Sequence, residues 1–203
     1  MQPIVAPLVA LALGYALGSI PFGIVLTRLT GAGDLRKIGS GNIGATNVLR
    51  TGRKGLAVAT MLLDMAKGTA ALLLAQWLLP GTVQLAAIGA LLGHLWPVWL
   101  RFAGGKGVAT YFGIVLGFTL ADGLAAWVPA AFAATWIGTL LLSRYSSLGG
   151  LAATLVTPFA AALAGRFDLA LLFSGFTLLI FWKHRENIGR LVAGTESRVG
   201  GGA

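Results

Sequence analysis

The stretch from Met1 to Thr27 carries no charged side chain, and a run that long without charge has one natural solvent, the interior of a lipid bilayer. Further apolar stretches follow, giving residues 3–27, 55–79, 82–100, 107–121, 123–143, 146–165 and 167–182. Most are near the ~20 residues a helix needs to cross the hydrocarbon. The segment 107–143 is too long for one crossing, and Asp122-Gly123 is its natural break. A mean hydropathy of +0.85 with only 10% charged residues agrees; an average soluble domain carries about 25% charge. A cleaved signal peptide starts with a basic region, and this chain does not, so the first stretch is read as a retained span.

These features predict an all-α integral membrane protein: one domain over 1–203, a bundle of seven transmembrane helices, with a flexible tail over 192–203. Its orientation follows from the positive charges. Arg28, Arg36, Lys37, Arg50, Arg53 and Lys54 lie between the first two spans. Arg101 and Lys106 follow the third, Arg144 the fifth, and Lys183, Arg185, Arg190 and Arg198 the seventh. Seven spans put all of these on one face and leave Arg166 on the other. Lysine and arginine mark the cytoplasmic side, which predicts an outside N-terminus and a cytoplasmic C-terminus. The same rule accounts for the net charge of +9 without nucleic acid as a partner.

Four segments on that face hold more glycine and more hydrogen-bonding side chains than a connector needs: RKIGSGNIGATNVLR (36–50), GHLWPVWLRFAGGKGVAT (93–110), SRYSSLGG (143–150) and WKHRENIGRL (182–191). Gly39 to Gly44 fits G-x-G-x-x-G formally, but the dinucleotide fingerprint needs a preceding strand, and GDLRK is not a buried strand. The physics of the glycines remains: they let successive backbone N–H groups face one anion. Ser40, Asn42, Thr46 and Asn47 add donors, and Arg50 adds a planar fork matched to phosphate. In AGGKGVAT, Gly104, Gly105 and Gly107 flank Lys106 ahead of a helix, another anion-attracting arrangement, without the Walker spacing.

His94 and His184 are the two imidazoles. His94 reads as a structural histidine or a site residue. His184 reads as a membrane-surface anchor or as a site residue with Asn187 one turn on. Ser146 and Ser147 either cap a helix or touch a substrate. Asp64 and Lys67, within the second span, form an internal ion pair or organise a site. No cysteine is present, no G-x-S-x-G elbow appears, and neither histidine is followed by the aspartate of the His-x4-Asp acyltransferases. Carboxylates are scarce, so neither metal nor cofactor is expected.

The motifs GSGNIGATNVLR, GHLWPVWLRFAGGKGVAT, and RYSSL followed by HRENIGRL resemble the signature regions of the bacterial acyl-phosphate:glycerol-3-phosphate acyltransferases, the PlsY-type family. The resemblance runs from about residue 14 to 196. It implies a seven-helix bundle in the bacterial cytoplasmic (inner) membrane with its site facing the cytoplasm. It also implies transfer of a fatty acyl group from acyl phosphate to the 1-hydroxyl of sn-glycerol 3-phosphate, giving lysophosphatidic acid and phosphate.

By position, the family's acyl-phosphate loop falls on Gly39, Ser40, Gly41, Asn42, Gly44 and Thr46. Glycerol 3-phosphate would be held by Asn47, Arg50, Lys106, Ser147, His184 and Asn187, with Lys106, His184 and Asn187 also catalytic. Members often carry a hydroxyl where this chain has Gly150, so Ser147 takes that role in the expectation. An organic-phosphate permease is the rival reading; it predicts broken helices or repeats near the membrane midplane, and none is visible in the sequence.

Overall fold

The computed structural model describes residues 5–200, which form helices joined by turns and loops, with no strand among them. The first two residues of the expected opening span and the last three of the expected tail lie outside the described residues. Ten α-helices follow one another: α1 (Val5–Gly18), α2 (Phe22–Leu29), α3 (Ala45–Leu49), α4 (Lys54–Leu78), α5 (Val83–Leu95), α6 (Val108–Asp122), α7 (Trp127–Ser143), α8 (Ser146–Leu163), α9 (Phe167–Lys183) and α10 (Arg185–Val192). Four stretches are long and apolar enough to cross a bilayer: Val5–Leu29, Lys54–Leu78, Val83–Leu100 and Ser146–Leu163. The pair α9 and α10, bent by 64°, qualifies when taken together, and α6 and α7 are shorter apolar helices. At ~1.5 Å per residue, the 15 residues of α6 span about 22 Å, less than the ~30 Å of a hydrocarbon core.

Two expected spans are interrupted. The first breaks between α1 and α2 at Ser19–Pro21, where proline both lacks an amide hydrogen and restrains the residue before it. The third ends at Leu95, and a short 3-10 turn, Val98–Leu100, follows Pro97. Both interruptions lie beside polar segments singled out from the sequence.

Packing divides the chain into two compact units, one through Gly123 and one from Leu124. In the first, α1 lies against α5 and α4 against α6. The α1–α5 contact is backbone to backbone: Gly14 faces Ala86, Gly18 faces Ala90, and Gly89 and Gly93 face Leu11 and Tyr15 in return. In lipid, small residues hold helices together by letting their backbones approach. The second unit packs α7 on α8 and α8 on α9, with the Thr177 hydroxyl donating to the Thr154 carbonyl at 2.8 Å across the latter pair.

Candidate functional site

In the first unit, the 36–50 segment is a folded loop and not a tether. Its foundation is apolar: Leu35 and Val48 are fully buried and cluster with Ala57 at the start of α4. Gly39 and Gly41 sit at φ 53° and 68°, in the left-handed region, where a Cβ would clash. Between them the chain reverses, with the Gly41 amide donating to the Ile38 carbonyl at 2.9 Å.

Asn47 holds this loop from below. It is 2% exposed; its Nδ2 donates to the carbonyls of Leu35, Ile38 and Asn42 at 2.9, 2.9 and 2.8 Å, and its Oδ1 accepts from the Ser40 amide at 3.2 Å. The Asn42 side chain accepts from the Gly44 amide at 2.9 Å, satisfying an amide at the start of α3. Ser40, Thr46 and Arg50 are exposed. The Arg50 guanidinium lies over Gly39, where a Cβ would meet its Nη1 at 2.9 Å. Neighbouring Arg36 is engaged elsewhere, in a 2.7 Å ion pair with Asp34. The Arg36 hydrogen bonds hold the Asp34 carboxyl well below the usual carboxylate range. The loop therefore presents donors on its rim, with Asn47 as the residue that shapes it.

Lys106 lies in the other glycine-rich loop of the same unit, one residue ahead of Gly107, which begins α6 at φ 87°. The Gly105 amide donates to the His94 carbonyl at 3.0 Å. The residues before it are tied to α1: Trp99 Nε1 donates to the Ser19 carbonyl at 2.7 Å, and the Tyr15 hydroxyl donates to the Trp96 carbonyl at 2.8 Å. Trp99 thus has a specific partner just past the end of α1.

In the second unit, His184 closes α9 and opens α10. It is 3% exposed, and Asn187 on the next turn is 6% exposed. His184 Nδ1 is 2.8 Å from the Ile180 carbonyl. A carbonyl only accepts, so Nδ1 carries the hydrogen, and the neutral ring has its lone pair on Nε2. Asn187 Nδ2 and the Ser147 hydroxyl both donate to Glu196 Oε1, at 2.6 and 2.7 Å, while Arg190 Nε donates to Oε2 at 2.6 Å. Burial pushes the Glu196 carboxyl up, but the hydrogen bonds from Asn187, Ser147 and Arg190 prevail and hold it below its ordinary range.

Glu196 has no counterpart among the residues expected from the sequence. It lies in a glycine-rich tail, where the one available signal was a lone carboxylate twelve positions after His184. Further along, the Val199 amide donates to the Arg144 carbonyl at 2.8 Å, and the Arg198 guanidinium stacks on Tyr145 at 5.4 Å.

Thus Gly39 to Arg50 and Lys106 lie on the two glycine-rich loops of the first unit, while Ser147, His184 and Asn187 belong to the second. Ser147 and Asn187 meet on one carboxylate oxygen. Among the described residues, no three His, Asp or Glu side chains gather as a metal-holding group.

A family model described as "Glycerol-3-phosphate acyltransferase" matches residues 8–194. The chain belongs to the glycerol-3-phosphate acyltransferase family. Similar members include the glycerol-3-phosphate acyltransferase of Nitrobacter winogradskyi, 57% identical over 195 residues with 95% of this chain and 96% of that one covered. The Mesorhizobium japonicum enzyme is 55% identical over 194 residues, with 95% and 96% covered.

Among solved structures, the fold is similar to PlsY (YgiH), an integral membrane glycerol 3-phosphate acyltransferase. Its glycerol 3-phosphate form matches with a TM-score of 0.86 and 37% identity, covering 96% of each chain. Its lysophosphatidic acid form matches with a TM-score of 0.84 and 36% identity, covering 96% of this chain and 95% of that one. As a glycerol-3-phosphate acyltransferase, the chain is a multi-pass integral membrane enzyme, and the permease reading falls away.

Proposed function

We propose that this protein transfers a fatty acyl group from acyl phosphate to the 1-hydroxyl of sn-glycerol 3-phosphate, releasing lysophosphatidic acid and inorganic phosphate. The observation that carries the reading is the 38–44 loop, built by a buried asparagine so that its exposed rim offers donors beside Arg50. An acyl phosphate is a mixed anhydride, with its leaving group already attached. The hydroxyl oxygen bonds to the acyl carbon, the acyl carbon–phosphate oxygen bond breaks, and phosphate leaves with its electron pair. No covalent enzyme intermediate is required, and positioning alone supplies about 7–11 kcal/mol.

In this scheme Gly39, Ser40, Gly41, Asn42, Gly44 and Thr46 bind the acyl phosphate. Arg50, Lys106, Ser147, His184 and Asn187 bind glycerol 3-phosphate, and Asn47, whose carboxamide faces the loop backbone, serves that substrate by holding the loop. Lys106 stabilises charge as it develops. His184 Nε2 takes the hydroxyl proton, supported by the Nδ1–H contact to Ile180.

The enzyme sits in the bacterial inner membrane as seven spans, N-terminus outside and loops 36–50 and 93–110 cytoplasmic. The charge distribution supports this, as does a helix or helix pair at each of the seven apolar stretches. Two experiments test the reading. Purified protein supplied with acyl phosphate, acyl-CoA or acyl-carrier protein should form lysophosphatidic acid from the first donor alone; turnover with a thioester overturns the donor assignment. Single cysteines at positions 42 and 106 should both label from the cytoplasmic side.

A further inference from the structure

Three ionisable side chains that the scheme above leaves without a role are buried in the first unit. Asp64 and Lys67 on α4 and His94 at the end of α5 are 3%, 4% and 4% exposed. Lys67 Nζ is 2.7 Å from Asp64 Oδ1, and His94 Nδ1 is 3.8 Å from the same oxygen. Buried ion pairs are weak sources of stability: replacement by packed apolar side chains is often neutral or favourable. A fixed geometry is the better explanation for their presence, and their contacts show what would be fixed.

Lys67 Nζ also donates to the Ile20 carbonyl at 2.8 Å, in the gap between α1 and α2, and stands 5.8 Å from the centre of the Phe22 ring. One residue on, Gly23 abuts the Ile43 carbonyl and the Leu35 side chain. Lys67 is thereby linked, through the first turn of α2, to the loop that carries Ser40 and Asn42. On the other side, the His94 imidazole lies flush against Gly105, so closely that a Cβ there would strike Nε2, and the His94 carbonyl takes the Gly105 amide hydrogen. Gly68, next to Lys67, packs on the Thr110 carbonyl in the first turn of α6. His94 and α4 thus hold the segment carrying Lys106 from both ends.

We propose that Asp64, Lys67 and His94 form a positioning cluster that sets the placement of the two glycine-rich loops relative to each other. Its consequence for catalysis rests on the functional reading above; the placement itself does not. None of the three touches the reacting atoms in this scheme. They act through Ile20 and Gly23 toward one loop and through Gly105 toward the other.

The chain has no cysteine, so a pair introduced at Lys37 and Ala103, both exposed, carries spin labels at unique sites. Electron–electron distances in lipid nanodiscs, without substrate, report loop placement directly. Lys67→Met should broaden or shift the distribution, and so should His94→Leu, while His94→Gln should restore most of the parent profile. In parallel, the KM for glycerol 3-phosphate should rise at least tenfold in His94→Leu, with a smaller change in kcat, and recover in His94→Gln. A lowered melting temperature with unchanged distances and unchanged KM would make the cluster merely structural and overturn the proposal. If Lys67→Met fails to insert, the His94 pair decides, since both leave the Asp64–Lys67 contact in place. Altered distances without any transferase activity in the parent would retain the positioning role and sink the enzymatic reading alone.

Discussion

The Glu196 carboxylate accepts the Asn187 carboxamide hydrogen at 2.6 Å, which ties the C-terminal tail to α10. The same oxygen takes the Ser147 hydroxyl, and Arg190 holds the other oxygen. With its side chain 6% exposed, Glu196 is a buried acceptor for donors assigned here to glycerol 3-phosphate. Glu196→Gln keeps one acceptor and loses the ion pair with Arg190. Glu196→Ala orphans both neutral donors, at about 1–3 kcal/mol for each one that stays buried. Activity and melting temperature should fall in the order parent, Gln, Ala, in detergent-purified protein.

That carboxylate also sets a pH dependence. Its folded pKa lies below the unfolded one, so its contribution to stability is complete above the unfolded value and is lost as pH falls through the folded value. Protection of the amides over residues 194–200, taken relative to their intrinsic exchange rate at each pH, should be high at neutral pH and fall only below the ordinary glutamate range. In Glu196→Gln that loss of protection on acidification should disappear.

Within the 38–44 loop, two similar substitutions should differ. Gly39→Ala and Gly41→Ala both place a Cβ at positive φ, costing roughly 1–2 kcal/mol. At Gly39 the new methyl would also meet Asn47 Oδ1 at 2.6 Å and Arg50 Cδ at 2.7 Å, whereas at Gly41 its nearest neighbour is the Arg36 carbonyl at 3.3 Å. Gly39→Ala should therefore lose activity at least tenfold more than Gly41→Ala. Equal losses would mean that backbone strain alone matters there.

What could be read from the sequence, and what could not, follows from which forces act over short distances. The apolar stretches were legible because lipid demands continuous greasy segments; most helix ends fall within four residues of the expected bounds, while α5 stops five residues short of 100. The break at Pro21 was signalled by the proline, but hydropathy alone ran through it. The direction in which a donor points was not legible. Asn42, Thr46 and Asn47 look alike in sequence, yet Asn47 faces inward against three carbonyls while Thr46 is exposed. Glu196 was hidden because its partners lie on α10 and forty-nine positions back, at Ser147.

His184 offers a test of proton transfer. With Nδ1–H committed to Ile180, Nε2 is the basic nitrogen, and a carboxamide in its place has no comparable base. His184→Asn should lower kcat by 10²–10⁴, the usual worth of a positioned general base, and flatten the acidic limb of the pH–rate profile. The KM for glycerol 3-phosphate should change less than kcat. A retained acidic limb would assign the proton to a substrate phosphate oxygen.

Lys106 separates electrostatic from structural explanations of the second glycine-rich loop. Its neighbours fix the backbone independently of its side chain: Gly105 through the His94 carbonyl, and Gly107 by starting α6. Lys106→Ala should therefore fold normally and lose turnover by 10²-fold or more, the scale for removing one preorganised donor. Lys106→Arg keeps the charge but replaces a compact ammonium with a broad planar fork, and should recover part of the binding and little of the rate. Near-parent rates in Lys106→Ala, measured as lysophosphatidic acid formed from acyl phosphate, would remove Lys106 from the site and leave its charge explained by membrane orientation alone.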